Sequence, residues 1–528
     1  MTRAERRWCL LYSAVLVVLT GMPYLLGYFA QSEAWVFSGF VFGVEDGNSY
    51  IAKMLSASQG AWLFRTPYTT SDQRGIIAFL PYILLGKLAQ GEAIREQLVA
   101  LFHAFRSAAI FLEVWAVYRF AALFIAEGPW RRWATILATA GGGLGWALVA
   151  LGQGSWLGSL PLDLHSPESF GFLAIYGLPH LVLARGLLLL GLVFYLGGSQ
   201  TAPRSAWSAG VAWLALGLVQ PLTVVTGYSV LAAHLILVAL RALRRNERAA
   251  VLGWMRAAVK VVVVSAPMVI YNALAFATDP YLREWTAQNR ILSPSPAHYL
   301  VAYGLLLLPA ALGAWRELRA ADPRGWLPVG WALALPVLAY APVNLQRRLP
   351  DGVWVAIVVL GAIGVREWAD GRPGRRLLAP ALLLASLATT FILLAGGARA
   401  ALRPGEPVFL PQEEVRAFTW LRDHGAEASG VLASFRTGNA LPAWAPVYVV
   451  VGHGPESAGL EELLPEVERF YEAGINDEFR RRFVSEHGVD YILLGPNEAA
   501  LGDWRPERAS FLREIYSAYG YSIYEVGD

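Results

Sequence analysis

Two carboxylates stand side by side at Glu45 and Asp46, within Gly43-Val44-Glu45-Asp46-Gly47-Asn48-Ser49-Tyr50, shortly after the first long apolar run. An acid pair beside a low-dielectric slab has two chemical uses: a carboxylate of raised proton affinity acting as general base, or a foothold for a divalent cation. The same residues have a plain structural use, with Asp46 or Asn48 as N-cap of a helix over 49–59. A second cluster, Asn344-Leu345-Gln346-Arg347-Arg348, places two guanidinium groups together. They suit bidentate capture of a phosphate or pyrophosphate, or snorkelling to anionic headgroups. Asp163, His165 and Glu168 form a third set, with His180 and Arg185 just beyond, in the next apolar run. Ionisable residues at membrane depth are costly and commonly line a cavity. The plain reading of a lone buried histidine such as His180 is a hydrogen bond to a neighbouring carbonyl. Asp279, Arg283, Arg290 and His298 add another polar stretch among aromatics, whose rings also suit an interfacial belt.

These residues are strung between apolar runs. Of 528 residues, 56% are hydrophobic and 16% charged, where a soluble chain carries roughly a quarter charged. The formal charge of +3, spread as short Arg clusters, gives no sign of nucleic-acid binding. Runs long enough for about 30 Å of hydrocarbon fall near 9–30, 102–125, 134–152, 173–197, 253–277, 297–314, 326–343, 351–365 and 377–397. The stretch from Trp207 to Leu240 holds two more, because Gln220-Pro221 breaks the helical ladder. The chain therefore reads as a polytopic α-helical membrane protein with about eleven transmembrane helices. Basic loops at Arg3, Arg6 and Arg7; Arg131 and Arg132; Arg204; Arg241, Arg244, Arg245 and Arg248; Arg316, Arg319 and Arg324; and Arg366, Arg372, Arg375 and Arg376 alternate with Arg-poor ones. The positive-inside rule puts the N-terminus in the cytoplasm of a multi-pass plasma-membrane protein, with loops 31–101, 153–172, 278–296 and 344–350 outside. The first outer loop, 31–101, is rich in aromatics, and 47–59 and 76–90 are expected as helices on the membrane surface.

The chain divides into a membrane domain, 1–402, and a small extracytoplasmic C-terminal α/β domain, 403–528, where charged residues become frequent. Helical patterns at 411–423, 459–473 and 477–487 alternate there with β-rich runs at 446–451 and 490–494. Cys9 is the sole cysteine, so a disulfide framework and a Cys-based metal site are excluded. No P-loop, HExxH or GxSxG is present, and Gly141-Gly142-Gly143 lies in an apolar helix without the strand context of a nucleotide site.

An N-in first helix, a long outer loop opening on an acidic pair, surface helices and an outer C-terminal domain together resemble the GT-C fold glycosyltransferases, among them protein O-mannosyltransferases and the aminoarabinose transferase of lipid A. The segments GVEDGNSYIAKM, GAWLFRTPYT, NLQRR, RTGN (436–439) and VGHGPES (451–457) look like those of bacterial membrane proteins of this type. The resemblance implies transfer of a sugar from a polyprenyl-phosphate-linked donor to a lipid, glycan or protein acceptor by inverting displacement, at a site surrounded by membrane lipids. By position, Asp46, with Glu45 as runner-up, matches the family's first-loop carboxylate and would deprotonate the acceptor. It further implies donor-phosphate binding by Arg347 and Arg348, aided by Lys53 or Arg185, and substrate contacts from Tyr50, Asp163, His180 and Gln346. In the tail, His453 and Glu456 stand as contacts in a domain that is either acceptor-holding or a structural lid. No metal ligand set is assigned beyond the option of a divalent cation at the acid pair. The family often carries His-Pro-Pro in its first loop; here Thr66-Pro67-Tyr68 and Phe79-Leu80-Pro81 stand in its place, which leaves the acceptor class open.

Overall fold

A computed structural model describes residues 1–198, 203–245, 248–369 and 377–527. Arg372, Arg375 and Arg376 of the basic loops lie outside the described residues. Among those residues, eight helices are long and apolar enough to cross a membrane: 3–29, 94–121, 179–197, 221–243, 251–278, 296–319, 346–369 and 378–401. This is a mostly helical, multi-pass membrane protein with a small C-terminal sheet. The break expected at Gln220-Pro221 is present, between helices Pro203–Val219 and Pro221–Arg245. Several of the eleven expected spans differ. The run 134–152 is interrupted, with helices Gly128–Ala140 and Gly145–Ala150 on either side of the triple glycine. At 173–197, Pro179 starts a new helix after Gly171–Gly177, as the restricted residue before a proline dictates. Helices Gly128–Ala140 and Trp326–Ala339, of 13 and 14 residues, rise roughly 20 Å, short of the hydrocarbon thickness.

The chain forms two compact units. The first comprises Met1–Gly21, Phe105–Ala273 and Ile291–Gly396. Its core is an apolar cluster including Leu188, Trp213, Trp331, Trp354 and Ile363. Helices Pro296–Arg319 and Val353–Ala369 make its most extensive contact. A Cβ on Gly313 would stand 2.0 Å from the Leu360 carbonyl oxygen, and one on Gly364 would stand 1.9 Å from that of Pro309. Small residues are what let the two backbones touch.

The second unit comprises Met22–Ala104, Leu274–Arg290 and Gly397–Asp528. At its centre is the helix Val44–Ser58. This helix was expected on a membrane surface, but eleven of its residues are buried, against helix Leu80–Gly86 and the turn Leu441–Ala443, so it is a core helix. Strands β1 (Trp35–Phe37) and β2 (Phe409–Pro411) pair antiparallel. Five more strands, β3 (Gly430–Leu432), β4 (Tyr448–Val449), β5 (Tyr491–Leu494), β6 (Leu512–Ala518) and β7 (Tyr521–Val526), form a sheet of order β4-β3-β5-β7-β6. β3 runs parallel to β4 and β5, and the β6–β7 hairpin closes the edge through Tyr519-Gly520, both at positive φ as a tight hairpin turn requires. The helices Gln412–His424, Leu460–Phe470 and Asp477–Glu486 match the expected helical stretches closely.

Candidate active site

The acidic pair lies in the first turn of Val44–Ser58, which starts at Gly43 in the left-handed conformation with no side-chain cap. Neither Asp46 nor Asn48 is therefore the N-cap. Carboxylates in a first helical turn complement the positive end of the helix dipole, yet each of these has a further partner. Glu45 Oε1 accepts from the Gly454 N–H at 3.1 Å, and Asp46 Oδ1 is 3.4 Å from His453 Nε2. The Asp46 side chain keeps 52% of its surface exposed, while that of His453 keeps 6%.

Behind this pair runs a chain of buried polar groups. His453 Nδ1 faces Glu456 Oε1 at 3.8 Å, and Glu456 forms an ion pair with Lys53 at 2.7 Å. Ser49 Oγ donates to Glu456 Oε1 (2.9 Å) and Thr66 Oγ1 to its Oε2 (2.6 Å), and Lys53 also bonds Ser49 Oγ. Burial alone would raise the Glu456 carboxyl; the Lys53 ammonium and His453 outweigh it and hold Glu456 below its ordinary range. Burial likewise opposes charge on His453, but Glu456 and the bond to Asp46 prevail, so its proton is held above the ordinary histidine range.

The loop that carries His453 is fixed from several sides. Ser457 Oγ accepts from the N–H groups of Gly452 (3.0 Å) and His453 (3.1 Å). From helix Pro280–Gln288, capped by Asp279, the Gln288 amide donates to the carbonyls of Pro455 and Ser457. Tyr281 OH donates to the Glu456 carbonyl. The RTGN turn supplies Asn439, whose Oδ1 accepts from Asn48 Nδ2 at 2.9 Å and whose carbonyl accepts from Tyr68 OH. RTGN and VGHGPES cross at Gly438 and Gly452: a Cβ on Gly438 would lie 2.1 Å from the Val451 oxygen, and one on Gly452 would lie 2.4 Å from the Gly438 carbonyl carbon. Four segments singled out in the sequence, GVEDGNSYIAKM, GAWLFRTPYT, RTGN and VGHGPES, thus meet in one network. That Thr66, Asn439, Tyr281 and Gln288 would join it had no signal beyond the quoted strings, because polar pairing across hundreds of residues leaves no periodic trace.

Other candidates have different surroundings. Tyr50 is buried and stacks on Tyr82 (4.5 Å between centroids), which makes it core packing of the second unit rather than an open substrate contact. Lys53 is fully buried and neutralised by Glu456, so it is not available to a donor phosphate.

In the first unit, Arg185 is likewise committed. Its guanidinium bonds the buried carboxylates of Glu113 (3.2 Å) and Asp351 (2.9 Å) and the Pro167 carbonyl (2.8 Å), and Thr223 donates to Asp351. A single acid in a long apolar run, as Glu113 is, was the signal that could have foretold the triad. Asp163 was expected to touch substrate; instead its Oδ2 accepts from the N–H groups of Gly143 and Gly145 and from Thr389 Oγ1. Those bonds satisfy backbone groups freed where the triple glycine interrupts the helix. With its oxygen and nitrogen exchanged, as the surrounding carbonyls require, the Gln346 amide donates to Ala339 (3.3 Å) and Ala341 (3.2 Å), so it too faces protein. His180 is the second residue of helix Pro179–Gly198 and is half-buried. Arg347 and Arg348 lie on a short 3-10 turn, Gln346–Arg348. Arg348 pairs loosely with Glu168 (3.3 Å), and the buried Arg347 Nε has no hydrogen-bond partner among the described residues. Among those residues no group of three or more His, Cys, Asp or Glu side chains is placed to hold a metal ion.

No protein-family model and no curated protein matches the sequence. Solved structures do resemble the fold. The apo oligosaccharyltransferase of Archaeoglobus fulgidus superposes over 100% of this chain and 75% of its own, with a TM-score of 0.53 and 14% identity. The mycobacterial arabinofuranosyltransferase AftD covers 99% of this chain, which spans only 42% of AftD, with a TM-score of 0.60 and 16% identity. ArnT of Cupriavidus metallidurans, bound to undecaprenyl phosphate, covers 98% here and 97% there, with a TM-score of 0.51 and 13% identity. All three are GT-C glycosyltransferases. The chain therefore has the GT-C membrane fold, as its sequence resemblance implied.

Proposed function

We propose that this protein is a glycosyltransferase that moves a sugar from a polyprenyl-phosphate-linked donor to an acceptor hydroxyl on the extracytoplasmic side, with inversion at the anomeric carbon. The observation that carries the reading is Asp46, a half-exposed carboxylate at the open end of a buried polar network. A positioned base is what a direct displacement needs. In the proposed step a carboxylate oxygen of Asp46 takes the acceptor hydroxyl's proton, and the acceptor oxygen bonds to the anomeric carbon. The bond from that carbon to the phosphate oxygen breaks, and the lipid phosphate leaves with the electron pair. Because a phosphate leaves as a stable anion, no second carboxylic acid of the glycosidase kind is required. Glu45 is the alternative base, though its Oε1 is already engaged by Gly454. We assign capture of the donor phosphate to Arg347 and Arg348, whose cations would meet the charge developing on the leaving group. Support for the lipid donor comes from structures of the same fold: ArnT holds undecaprenyl phosphate, and the archaeal oligosaccharyltransferase has been captured with dolichol phosphate. The topology that goes with this reading has the N-terminus in the cytoplasm and loop 31–101 outside.

The test is glycosyl transfer from a panel of radiolabelled polyprenyl-phosphate sugars to membrane extract. Wild type is compared with Asp46→Asn and Arg347→Ala, which are expected to give about a hundredfold less product or lower still and weakened donor use, respectively. Binding of a polyprenyl phosphate without turnover of any donor would replace the reading with a lipid carrier. Absence of both would end the lipid-donor hypothesis.

A further inference from the structure

Asp46 is the one member of its hydrogen-bonded pair that solvent reaches; His453, 4% exposed, has Nε2 on Asp46 and Nδ1 toward Glu456. The imidazole ring also packs 5.3 Å from the Tyr68 ring, whose hydroxyl is spent on the Asn439 carbonyl. An acceptor cannot touch a ring enclosed in this way, so anything His453 does must pass through Asp46. The charged and titratable groups that face it are Asp46 and Lys53 from helix Val44–Ser58, Glu456 from its own loop, and Tyr68. Lys53 already balances Glu456, which leaves an imidazolium opposite the Asp46 carboxylate as the second balanced pair.

We infer that His453 is a positioning residue for the proposed base: as an imidazolium it holds the Asp46 carboxylate ionised and fixes its orientation toward the acceptor. The inference rests on the glycosyltransferase reading for its consequence but not for its geometry. A carboxylate is recruited as a base only while it is ionised and correctly aimed, and a charge-assisted bond from a buried cation supplies both. The role of Glu456 is then to keep the imidazole protonated within a low-dielectric surround, against the Lys53 ammonium, which opposes a second positive charge. When the proton leaves, Nδ1 presents a lone pair to the Glu456 carboxylate and the ring's grip on Asp46 weakens. Turnover should therefore fall as pH rises through the His453 titration, a basic limb above about 6.5, the ordinary histidine value. Arginine or lysine titration lies too high to mimic it.

Two measurements on the full-length protein in detergent test this. The first needs no substrate: His453 is followed by nitrogen-15 NMR, its signal assigned by its loss in His453→Gln, in wild type and in Asp46→Asn. A fall in its titration midpoint when Asp46 is neutralised supports the coupling; an unchanged midpoint overturns it, whatever the activity. The second is the pH profile of transfer. His453→Ala should lower kcat roughly tenfold or more, a share of the 10²–10⁴-fold that a positioned base contributes, with donor KM unchanged. His453→Gln, which retains an N–H donor and cannot titrate, should recover part of kcat and lose the basic limb. Retention of both the wild-type kcat and the limb in His453→Gln would show that the ring only packs against Tyr68. Wild type inactive on every donor would fail the parent reading, while the NMR result would still stand or fall by itself.

Discussion

Two networks of buried charge contrast sharply in this protein. In the first unit Arg185, Glu113 and Asp351 are all within the bundle, with side chains at most 2% exposed, and their charges pair with one another, although Glu113 Oε2 and Arg185 Nε have no hydrogen-bond partner among the described residues. In the second unit Lys53, Glu456 and His453 are equally enclosed, but their chain ends on Asp46, half exposed. The difference teaches that buried charge is not by itself a mark of chemistry. A closed triad is a structural device whose removal one partner at a time is costly, since it leaves a lone charge in a low dielectric. A network with one open end has somewhere to act. By that criterion Arg185, chosen from sequence as a phosphate ligand, has the surroundings of a structural residue, and Asp46 those of the proposed base.

The largest effect should come from the open end. Asp46→Asn is expected to reduce transfer by about 10²–10⁴-fold while leaving the unfolding temperature near that of wild type. If turnover survives and stability falls, the two networks are alike and the contrast fails. Next come the closed network's members: Asp351→Ala or Glu113→Ala should cost about 3–5 kcal/mol by thermal unfolding in detergent. Replacing all three charged residues of the triad with apolar ones of similar volume should recover much of that loss; no recovery would mean the triad does more than neutralise itself.

A smaller effect separates Glu456 from His453 by pH. The folded state lowers the proton affinity of Glu456, so its stabilisation is present above the unfolded carboxylate value of about 4.3 and disappears as pH falls through the folded value. For His453 the sign is reversed: its proton is held more tightly when folded, so that stabilisation is full below about 6.5 and is lost as pH rises through the raised value. Unfolding temperatures from pH 4 to 9 should show His453→Gln removing the alkaline decline and Glu456→Gln changing the acid one. The smallest effect belongs to the Arg513–Glu525 pair on the β6–β7 hairpin, whose arginine side chain is 74% exposed. Arg513→Ala should change stability by no more than about 0.5 kcal/mol, which makes it the control for charge removal as such.

Sequence alone determined the class of the molecule, because a run of apolar residues long enough for hydrocarbon reads the same in any context. It also determined the proline break at 220–221 and the alternation of helix and strand in the tail. Tertiary structure decided the rest. Helix Val44–Ser58 has the pattern of a surface helix, yet buried residues cover most of it, since a hydrophobic pattern states which faces avoid water and not what covers them. Asp163 and Arg185 carried the charge expected of ligands, but partners brought up by distant helices had already claimed it. Likewise nothing in the order of residues couples Asp46 to His453. A hydrogen bond is set by distance and direction in space, and only the folded path of the chain brings the two side chains within reach.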